Sequence, residues 1–360
     1  MRALVVVAAA LAVGGGAEEP SAPNPQQVAT AEGRIESFTA NGGWLAWWER
    51  ATSANCPTVA FMRLATRRVT KIRTSERDHW GCSAGANSLA VAGRFAAWAY
   101  SFGGNRTTTM ILAATPTRVR GSPLDSFTAE HSSFGEGGYA SGPVAGGPTL
   151  AYGWYGVEIV PSRPCREDLR CETIIRRGGI RLIRGTRRGE LVSRAPVAHL
   201  ALSADGLAAY VRVTKAWHDR RVLSRTMLEI VDLRTGRVRR RLSAPGRVRA
   251  LALSGKVLVA LSRSGPTPAI LRFDVLSGRL MGVSRVGRGT STRLALSGRR
   301  LIVSRGVRLI EIDVYSGRIE SLATTTGAPI GLSIARGLVA WAENARTGSA
   351  PRGRIRVLGG

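Results

Sequence analysis

The sequence is poor in several residue types that mark common classes of protein. Among 360 residues there are only four cysteines, 6% are aromatic, and 24 acidic residues stand against 52 basic ones. Apolar residues still make up 44% of the chain, enough for a large core built mainly from Val, Leu, Ile and Ala. There is no Gly-rich phosphate loop, nucleophile elbow or metal-binding helix motif. The sequence therefore predicts no catalytic residue, no metal and no cofactor.

Long apolar runs are also lacking, apart from residues 4–13, which follow Arg2 and precede the small residues 15–17. This pattern predicts a signal peptide over residues 1–17. The alternative, an uncleaved anchor, is disfavoured because a membrane span needs about 20 apolar residues. We expect a bacterial protein that is secreted or periplasmic, with no transmembrane segment in the mature chain. Residues 18–27 are rich in proline and polar residues and predict a flexible lead-in.

The four cysteines are even in number, which in an exported chain favours disulfides. Four cysteines allow three pairings, and the sequence alone does not choose among them. Cys165 and Cys171 share one predicted loop, which would leave Cys56 to pair with Cys82. A zinc site is the alternative, but neither pair has the two-residue spacing of a zinc knuckle and no histidine is suitably spaced.

A short motif returns seven times along the chain. A glycine or other turn residue is followed by an apolar strand that carries alanine or an aromatic residue. The copies lie at residues 43–47, 93–98, 148–152, 206–210, 255–260, 298–303 and 337–341. A repeat of about 40 residues with several short strands is typical of a β-propeller. We expect an all-β fold over residues 28–360, a single seven-bladed β-propeller of four-stranded antiparallel blades.

The C-terminal half shows the repeat most clearly. The phrase Asp-x-x-(Ser/Thr)-Gly-Arg begins at Asp232, Asp274 and Asp313 and predicts hairpins in which Asp accepts backbone N–H groups and Gly adopts positive φ. In the fifth unit it separates two of four strands predicted at residues 247–253, 256–262, 269–275 and 279–285. The last unit is one strand short, so we expect an N-terminal strand at 28–31 to close the ring. Residues 33–37 echo an outer strand at 317–321, so a register shifted by one strand is the alternative.

Residues 203–210, Ser-Ala-Asp-Gly-Leu-Ala-Ala-Tyr, resemble the turn motif of WD-repeat-like and Tol-type periplasmic propellers. The Asp-x-x-(Ser/Thr)-Gly-Arg turns resemble those of WD-repeat-like and quinoprotein-like propellers. The resemblance implies a propeller scaffold. The Trp-Asp pair of true WD repeats, the quinone-stacking tryptophan with its calcium cluster, and the spacing of the sialidase aspartate box are missing.

The candidate binding residues lie in long loops that a propeller would place on one face. The loops are residues 50–58, 74–86, 121–142, 161–172 and 214–225. Loops on rigid scaffolds often carry function, although variation at tolerant positions is the alternative. The residues singled out are Asp78, His79, Trp80, His131, Trp217, His218 and Asp219. The tryptophans near second strands predict packing between blades.

The formal net charge is +28, almost all of it from arginine. Such a charge attracts polyanions, but arginine spread along the chain is also expected from composition alone. We expect a non-enzymatic scaffold at the cell envelope, monomeric, that binds an unknown protein or an anionic envelope polymer, with no specific nucleic acid. The alternatives are a lyase or hydrolase at the mouth of the central channel and a purely electrostatic binder of envelope polymers.

Overall fold

The structure is a computed structural model that describes most of the chain from residue 24 onward. The described residues are 24–50, 57–73, 85–103, 106–118, 121–130, 137–159, 173–214, 225–264, 267–286, 293–335, 337–347 and 350–359. The predicted signal peptide and all four cysteines lie outside them, so these remain predictions. Within the described stretches the regular structure is all strand, and no helix there could span a membrane.

The strands are short and regularly spaced. In chain order they are β1 (Gln26–Thr30), β2 (Arg34–Asn41), β3 (Trp44–Arg50), β4 (Thr58–Arg63), β5 (Val69–Arg73), β6 (Gly85–Ala92), β7 (Phe95–Phe102), β8 (Arg106–Ala114), β9 (Ser122–Glu130), β10 (Gly137–Gly146), β11 (Thr149–Ile159), β12 (Thr173–Arg184), β13 (Arg187–Ser193), β14 (Val197–Leu202), β15 (Leu207–Arg212), β16 (Arg225–Asp232), β17 (Val238–Pro245), β18 (Arg247–Ser254), β19 (Val257–Arg263), β20 (Ala269–Asp274), β21 (Leu280–Arg285), β22 (Leu294–Ser297), β23 (Arg300–Arg305), β24 (Arg308–Asp313), β25 (Ile319–Thr324), β26 (Gly331–Ala335), β27 (Leu338–Thr347) and β28 (Ala350–Leu358).

Neighbouring strands pair antiparallel in chain order. In the described residues, β2–β5, β14–β17, β18–β21 and β22–β25 each form a four-stranded sheet, and β6–β13 form one of eight strands. The eight-stranded sheet has a weak point, since a single residue pair, Gly137 with Ala129, joins β9 to β10. The four strands predicted for the fifth unit agree with β18–β21 to within one residue at each end.

The remaining sheet combines the two ends of the described chain. Its order is β1-β28-β27-β26, and β1 pairs antiparallel with β28 from Gln26 opposite Val357 to Thr30 opposite Arg354. The first strands of successive groups contact one another in the order β2, β6, β10, β14, β18, β22, β26, and β26 contacts β2. The predicted strand at 28–31 is thus β1, but it begins at Gln26, inside the predicted lead-in, because backbone pairing extends there.

The core lies between neighbouring sheets. Trp47 of β3 packs with Ala340 and Ile355 of the sheet that contains both chain ends. An aromatic residue at the same position of the second strand recurs elsewhere and is buried each time. The set is Trp47, Trp98, Tyr152, Tyr210 and Trp341. The prediction that these tryptophans pack between structural units is confirmed.

The repeated Asp-Gly hairpins form as predicted. The Asp232 carboxylate accepts the backbone N–H groups of Arg234 and Thr235 at 2.9 and 3.1 Å. The glycine four residues after the Asp has φ of 69° at Gly236, and the corresponding values at Gly278 and Gly317 are 77° and 78°. These aspartates therefore stabilise turns.

The prediction of a loop at residues 121–142 is wrong for most of that range. Ser122–Glu130 is strand β9, which pairs with β8, and β10 begins at Gly137. Serine, threonine and glycine in this stretch suggested a loop, but the backbone hydrogen bonds to β8 stabilise a strand there. The hairpin of β27 and β28 also extends beyond the strands predicted for the last unit.

Candidate functional site

The seven binding residues predicted from the sequence lie outside the described residues. They belong to three stretches, 74–84, 131–136 and 215–224. The cysteine-containing stretches 51–56 and 160–172 also lie outside. The site is therefore built from the strand ends that flank these stretches.

The described ends of three of these stretches pack together. Tyr155 and Val157 of β11 contact Val213, which lies just before residues 215–224, and this apolar group also includes Tyr139 and Ile175. Tyr139 lies shortly after the stretch 131–136 in the sequence. Ile175 lies shortly after the stretch 160–172. Described residues close in sequence to the stretches 131–136, 160–172 and 215–224 thus belong to one patch.

Two tyrosines form the aromatic part of this patch. Tyr139 on β10 is paired directly opposite Tyr155 on β11. Their ring centroids are 5.0 Å apart and the ring planes differ by 14°, a stacked arrangement. Side chains directly opposite each other on paired strands are held close by the backbone register. The pair is therefore held in a fixed arrangement in which Tyr155 is buried and Tyr139 is half-buried.

His199 lies near the beginning of β14, next to Ala198, which packs against the same apolar group. The pairing of β14 with β15 is irregular between Val197 and Leu200, so His199 sits in a bulge-like segment. Similar irregularities occur near the beginning of β2, β6, β10 and β18. Bulges redirect side chains and are common beside binding and active sites. The same end of several first strands is distorted in this way.

Arg247, the first residue of β18, supplies the positive charge of the site. Burial, reinforced by the nearby Arg247 charge, lowers the pKa of His199 to about 4. Burial and the neighbouring Arg249 lower the pKa of Arg247 itself. His199 is therefore neutral at physiological pH, and Arg247 is the cation next to it.

The tyrosines keep their protons at neutral pH. Burial raises the pKa of Tyr155 to about 12; Tyr139 acts in the same direction and Arg247 opposes it. Burial also raises the pKa of Tyr139. We refer to Tyr139, Tyr155, His199 and Arg247 as the tyrosine–histidine cluster. It combines two stacked phenol rings, a neutral imidazole and a guanidinium group.

Three buried carboxylates elsewhere stabilise the fold. Glu49 binds Lys71 at 2.6 Å and accepts the indole N–H of Trp47 at 3.2 Å. Glu343 accepts the Thr326 hydroxyl at 2.7 Å and pairs with Arg356 at 2.9 Å. These bonds occupy the carboxylate oxygens, so Glu49 and Glu343 stabilise the sheets to which they belong.

The third carboxylate, Glu229, accepts the Tyr210 hydroxyl and binds Arg212 and Arg241 at 2.8 and 3.0 Å. Burial pushes its pKa up, but the hydrogen bonds from Tyr210, Arg212 and Arg241 outweigh burial and leave the pKa below its ordinary value. No group of three or more possible metal ligands occurs in the part of the chain that the structure describes.

Sequence reasoning missed the tyrosine–histidine cluster. It selected histidines in long loops, whereas His199 lies on a strand between apolar residues. The available signal was the interruption of the apolar run Val197–Leu202 by one histidine in the first strand of a repeat. The tyrosines meet through the register of the β10–β11 pairing, and Arg247 comes from a different sheet, so no local sequence signal linked them.

No protein-family model matches the chain, and no curated protein matches it. Solved structures do match. A chain in the crystal structure of the mitotic checkpoint complex is 12% identical, with 100% of this chain and 99% of that chain covered and a TM-score of 0.54. The β-propeller domain of Cps50 (Swd1) from Myceliophteria_thermophila is 15% identical over 92% of this chain and 99% of that one, with a TM-score of 0.51. The fold is a β-propeller.

The Dos1 propeller is a further match, with 8% identity, 94% and 95% coverage of this chain and that one, and a TM-score of 0.50. The resemblance to WD-repeat-like propellers is thus confirmed at the level of the fold. In this propeller, the tyrosine–histidine cluster lies where β10, β14 and β18 come together.

Proposed function

We propose that this propeller is a non-enzymatic binding scaffold that holds a protein or an anionic envelope polymer at the tyrosine–histidine cluster. The observation that carries the proposal is the packing of Tyr155, Val157 and Val213 in one apolar group, together with the electrostatic effect of Arg247 on Tyr155 and His199. Loops on a rigid scaffold supply variable contacts, and the cluster would supply a fixed anchor.

The proposed scaffold has seven blades. We count β6–β9 and β10–β13 as separate blades because one residue pair joins them, and we assign β1 as the outer strand of the last blade. The cyclic contact order of the first strands supports this ring. A closed ring would be rigid, because every blade buries both faces against neighbours.

We further propose that the protein is exported, acts at the cell envelope and is monomeric. The support is the signal-peptide pattern of residues 1–17 and the even number of cysteines. The net charge of +28 would strengthen attraction to anionic partners there. Disulfides between Cys56 and Cys82 and between Cys165 and Cys171 would stabilise the stretches that contain these cysteines.

The alternative function is catalysis at the same cluster. The observation behind this alternative is the neutral imidazole of His199, which can accept a proton from a substrate, but a pKa of about 4 makes it a weak base at neutral pH. Binding is preferred because the buried carboxylates Glu49, Glu229 and Glu343 are engaged in hydrogen bonds that stabilise the fold.

The test is binding of the full chain to anionic cell-wall polymers and acidic glycans across a salt series. Arg247→Gln and Tyr139→Leu should weaken binding of one preferred polymer by about tenfold each. The matched control is Arg187→Gln, which removes the same charge at an exposed residue of β13. Equal loss in Arg187→Gln and Arg247→Gln, or equal weak binding of every polyanion, would show that only the general positive charge matters.

A further inference from the structure

Three consecutive hairpins elsewhere in the propeller expose residues of the same types at equivalent positions. After β16, β20 and β24, each hairpin ends in an arginine followed by an apolar residue, which begins the outer strand. The apolar residues are Val238, Leu280 and Ile319, and they are 40%, 42% and 55% exposed. The preceding residues Arg237, Arg279 and Arg318 are also exposed. Exposed apolar residues are ordinary singly, but here they recur at equivalent positions.

A second position in the same hairpins is also exposed. It holds Leu276 and Tyr315, which are 55% and 51% exposed. Arg234 occupies the equivalent position after β16, and its backbone N–H donates to the Asp carboxylate at 2.9 Å as that of Tyr315 does at 3.0 Å. Because the turn forms equally well with arginine, it does not require the apolar side chains.

Bonds between blades hold these hairpins in a row. Arg240 Nε donates to the carbonyl oxygen of Leu276 at 2.8 Å, which ties β17 to the next hairpin. Arg272 is buried and its Nη1 donates to the carbonyl oxygen of Val314 at 3.0 Å. We call residues 234–238, 276–280 and 315–319 the hairpin row. It is a continuous, preorganised surface.

The hairpin row lies at the opposite end of the strands from the tyrosine–histidine cluster. The backbone N–H of Leu233 donates to the carbonyl oxygen of Gly206, in the turn after the end of β14, at 2.9 Å. His199 lies near the beginning of β14. The two surfaces are therefore separate, and the hairpin row does not depend on the function proposed for the cluster.

The hairpin row is positively charged. The turn carboxylates of Asp232 and Asp313 are paired with Arg239 and Arg299, the latter pair at 3.0 Å. Glu320 pairs with Arg318 at 2.8 Å, but both side chains are more than half exposed, so this pair is weak. A second copy of the chain would place like charges against each other across such a row, which disfavours self-association.

We propose that the hairpin row is a docking surface for an acidic protein segment that carries apolar side chains. Glutamate or aspartate side chains of the segment would pair with Arg237 and Arg279, and its apolar side chains would cover Leu276, Leu280 and Tyr315. A purely charged polymer would satisfy the arginines but leave the apolar side chains in water. Protein interfaces combine apolar area with arginine in this way.

The test uses the full chain and a fluorescent synthetic peptide in which glutamates are interspersed with leucines. Its control peptide replaces every leucine by serine. We expect the leucine-containing peptide to bind about tenfold more tightly than the serine peptide. In the double variant Leu276→Arg, Tyr315→Arg, which copies the residue at position 234, this preference should disappear.

A matched variant, Val69→Arg with Val307→Arg, adds the same two charges at exposed apolar residues outside the row and should keep the preference. Arg237→Gln with Arg279→Gln should weaken binding of both peptides. The proposal is overturned if both peptides bind equally to the unaltered chain. It is also overturned if heparin or duplex DNA displaces the leucine peptide equally well from the unaltered chain and from the row variants. A dimer in gel filtration that depends on the hairpin row would overturn it as well. Circular dichroism checks that each variant is folded.

Discussion

The side-chain amide of Asn41 donates a hydrogen bond of 2.6 Å to the backbone carbonyl oxygen of Gly147. Asn41 is the last residue of β2, and Gly147 follows the end of β10. The same amide also donates to the carbonyl oxygen of Val91 at 3.0 Å. One side chain thus ties together three neighbouring first strands.

Replacing Asn41 should destabilise the ring locally. Asn41→Ala leaves two backbone carbonyl groups without this donor, and we expect a loss of about 1–2 kcal/mol in the free energy of unfolding. Urea denaturation followed by tryptophan fluorescence measures the change. Ser297→Ala, at the exposed last residue of β22, is the control and should change stability by less than about 0.5 kcal/mol. Equal stability of the two variants would contradict the prediction.

Removing the buried guanidinium of Arg272 should loosen the hairpin that follows β24. Arg272 is 6% exposed, and its Nη1 also donates to the carbonyl oxygen of Asp313 at 3.2 Å. Arg272→Met keeps the bulk of the side chain but removes the donors, and should cost about 1–3 kcal/mol. Hydrogen exchange measured by mass spectrometry should show faster exchange in residues 313–318. The exposed Arg308→Met is the control, and comparable exchange in the two variants would argue against this role.

A side chain at position 142 on β10 should clash with Ser88 on β6. Gly142 has φ of 74°, and a Cβ atom there would lie 1.9 Å from Ser88 Oγ and 2.7 Å from Ser88 Cβ. We expect Gly142→Ala to lower the free energy of unfolding by about 2–4 kcal/mol, since it combines steric overlap with backbone strain. Ser88→Gly in the same chain should recover part of this loss but not all, because the positive φ remains. A double-mutant cycle that shows full recovery of stability, or no recovery, would contradict the prediction that steric overlap and backbone strain both contribute.

The stability of the protein should fall in mild acid through His199. Its pKa of about 4 in the folded protein lies below the ordinary value of 6.5. Between these values the unfolded chain binds a proton that the folded chain does not, so the free energy of unfolding decreases as pH falls from about 6.5 to about 4. We expect about 1–3 kcal/mol from this residue. Urea denaturation at about pH 7 and about pH 4.5 should show a smaller difference for His199→Asn than for the unaltered chain.

Much of the fold was predictable because its signals are local. The glycine turns and the Asp-x-x-(Ser/Thr)-Gly-Arg hairpins depend on the φ preference of glycine and on hydrogen bonds within a few residues, as Asp232 and Gly236 illustrate. Strand β9 was missed because its serine and threonine residues resemble a loop, while the backbone register and the contact between the Thr108 and Thr128 hydroxyl groups at 3.1 Å pair it with β8. The candidate site was less predictable, since the predicted histidines were chosen from loops.

The sequence by itself determined the all-β repeat, since turn chemistry and apolar alternation act over short distances along the chain. It also determined the large excess of arginine. Only the tertiary structure decided which distant residues meet: the stacked Tyr139 and Tyr155, with His199 and Arg247 from two further strands. Strand pairing places the two tyrosines opposite each other, and burial where the sheets meet lowers the pKa of His199. The same packing aligns Leu276 and Tyr315 in one exposed row, because bonds between blades fix the position of each hairpin.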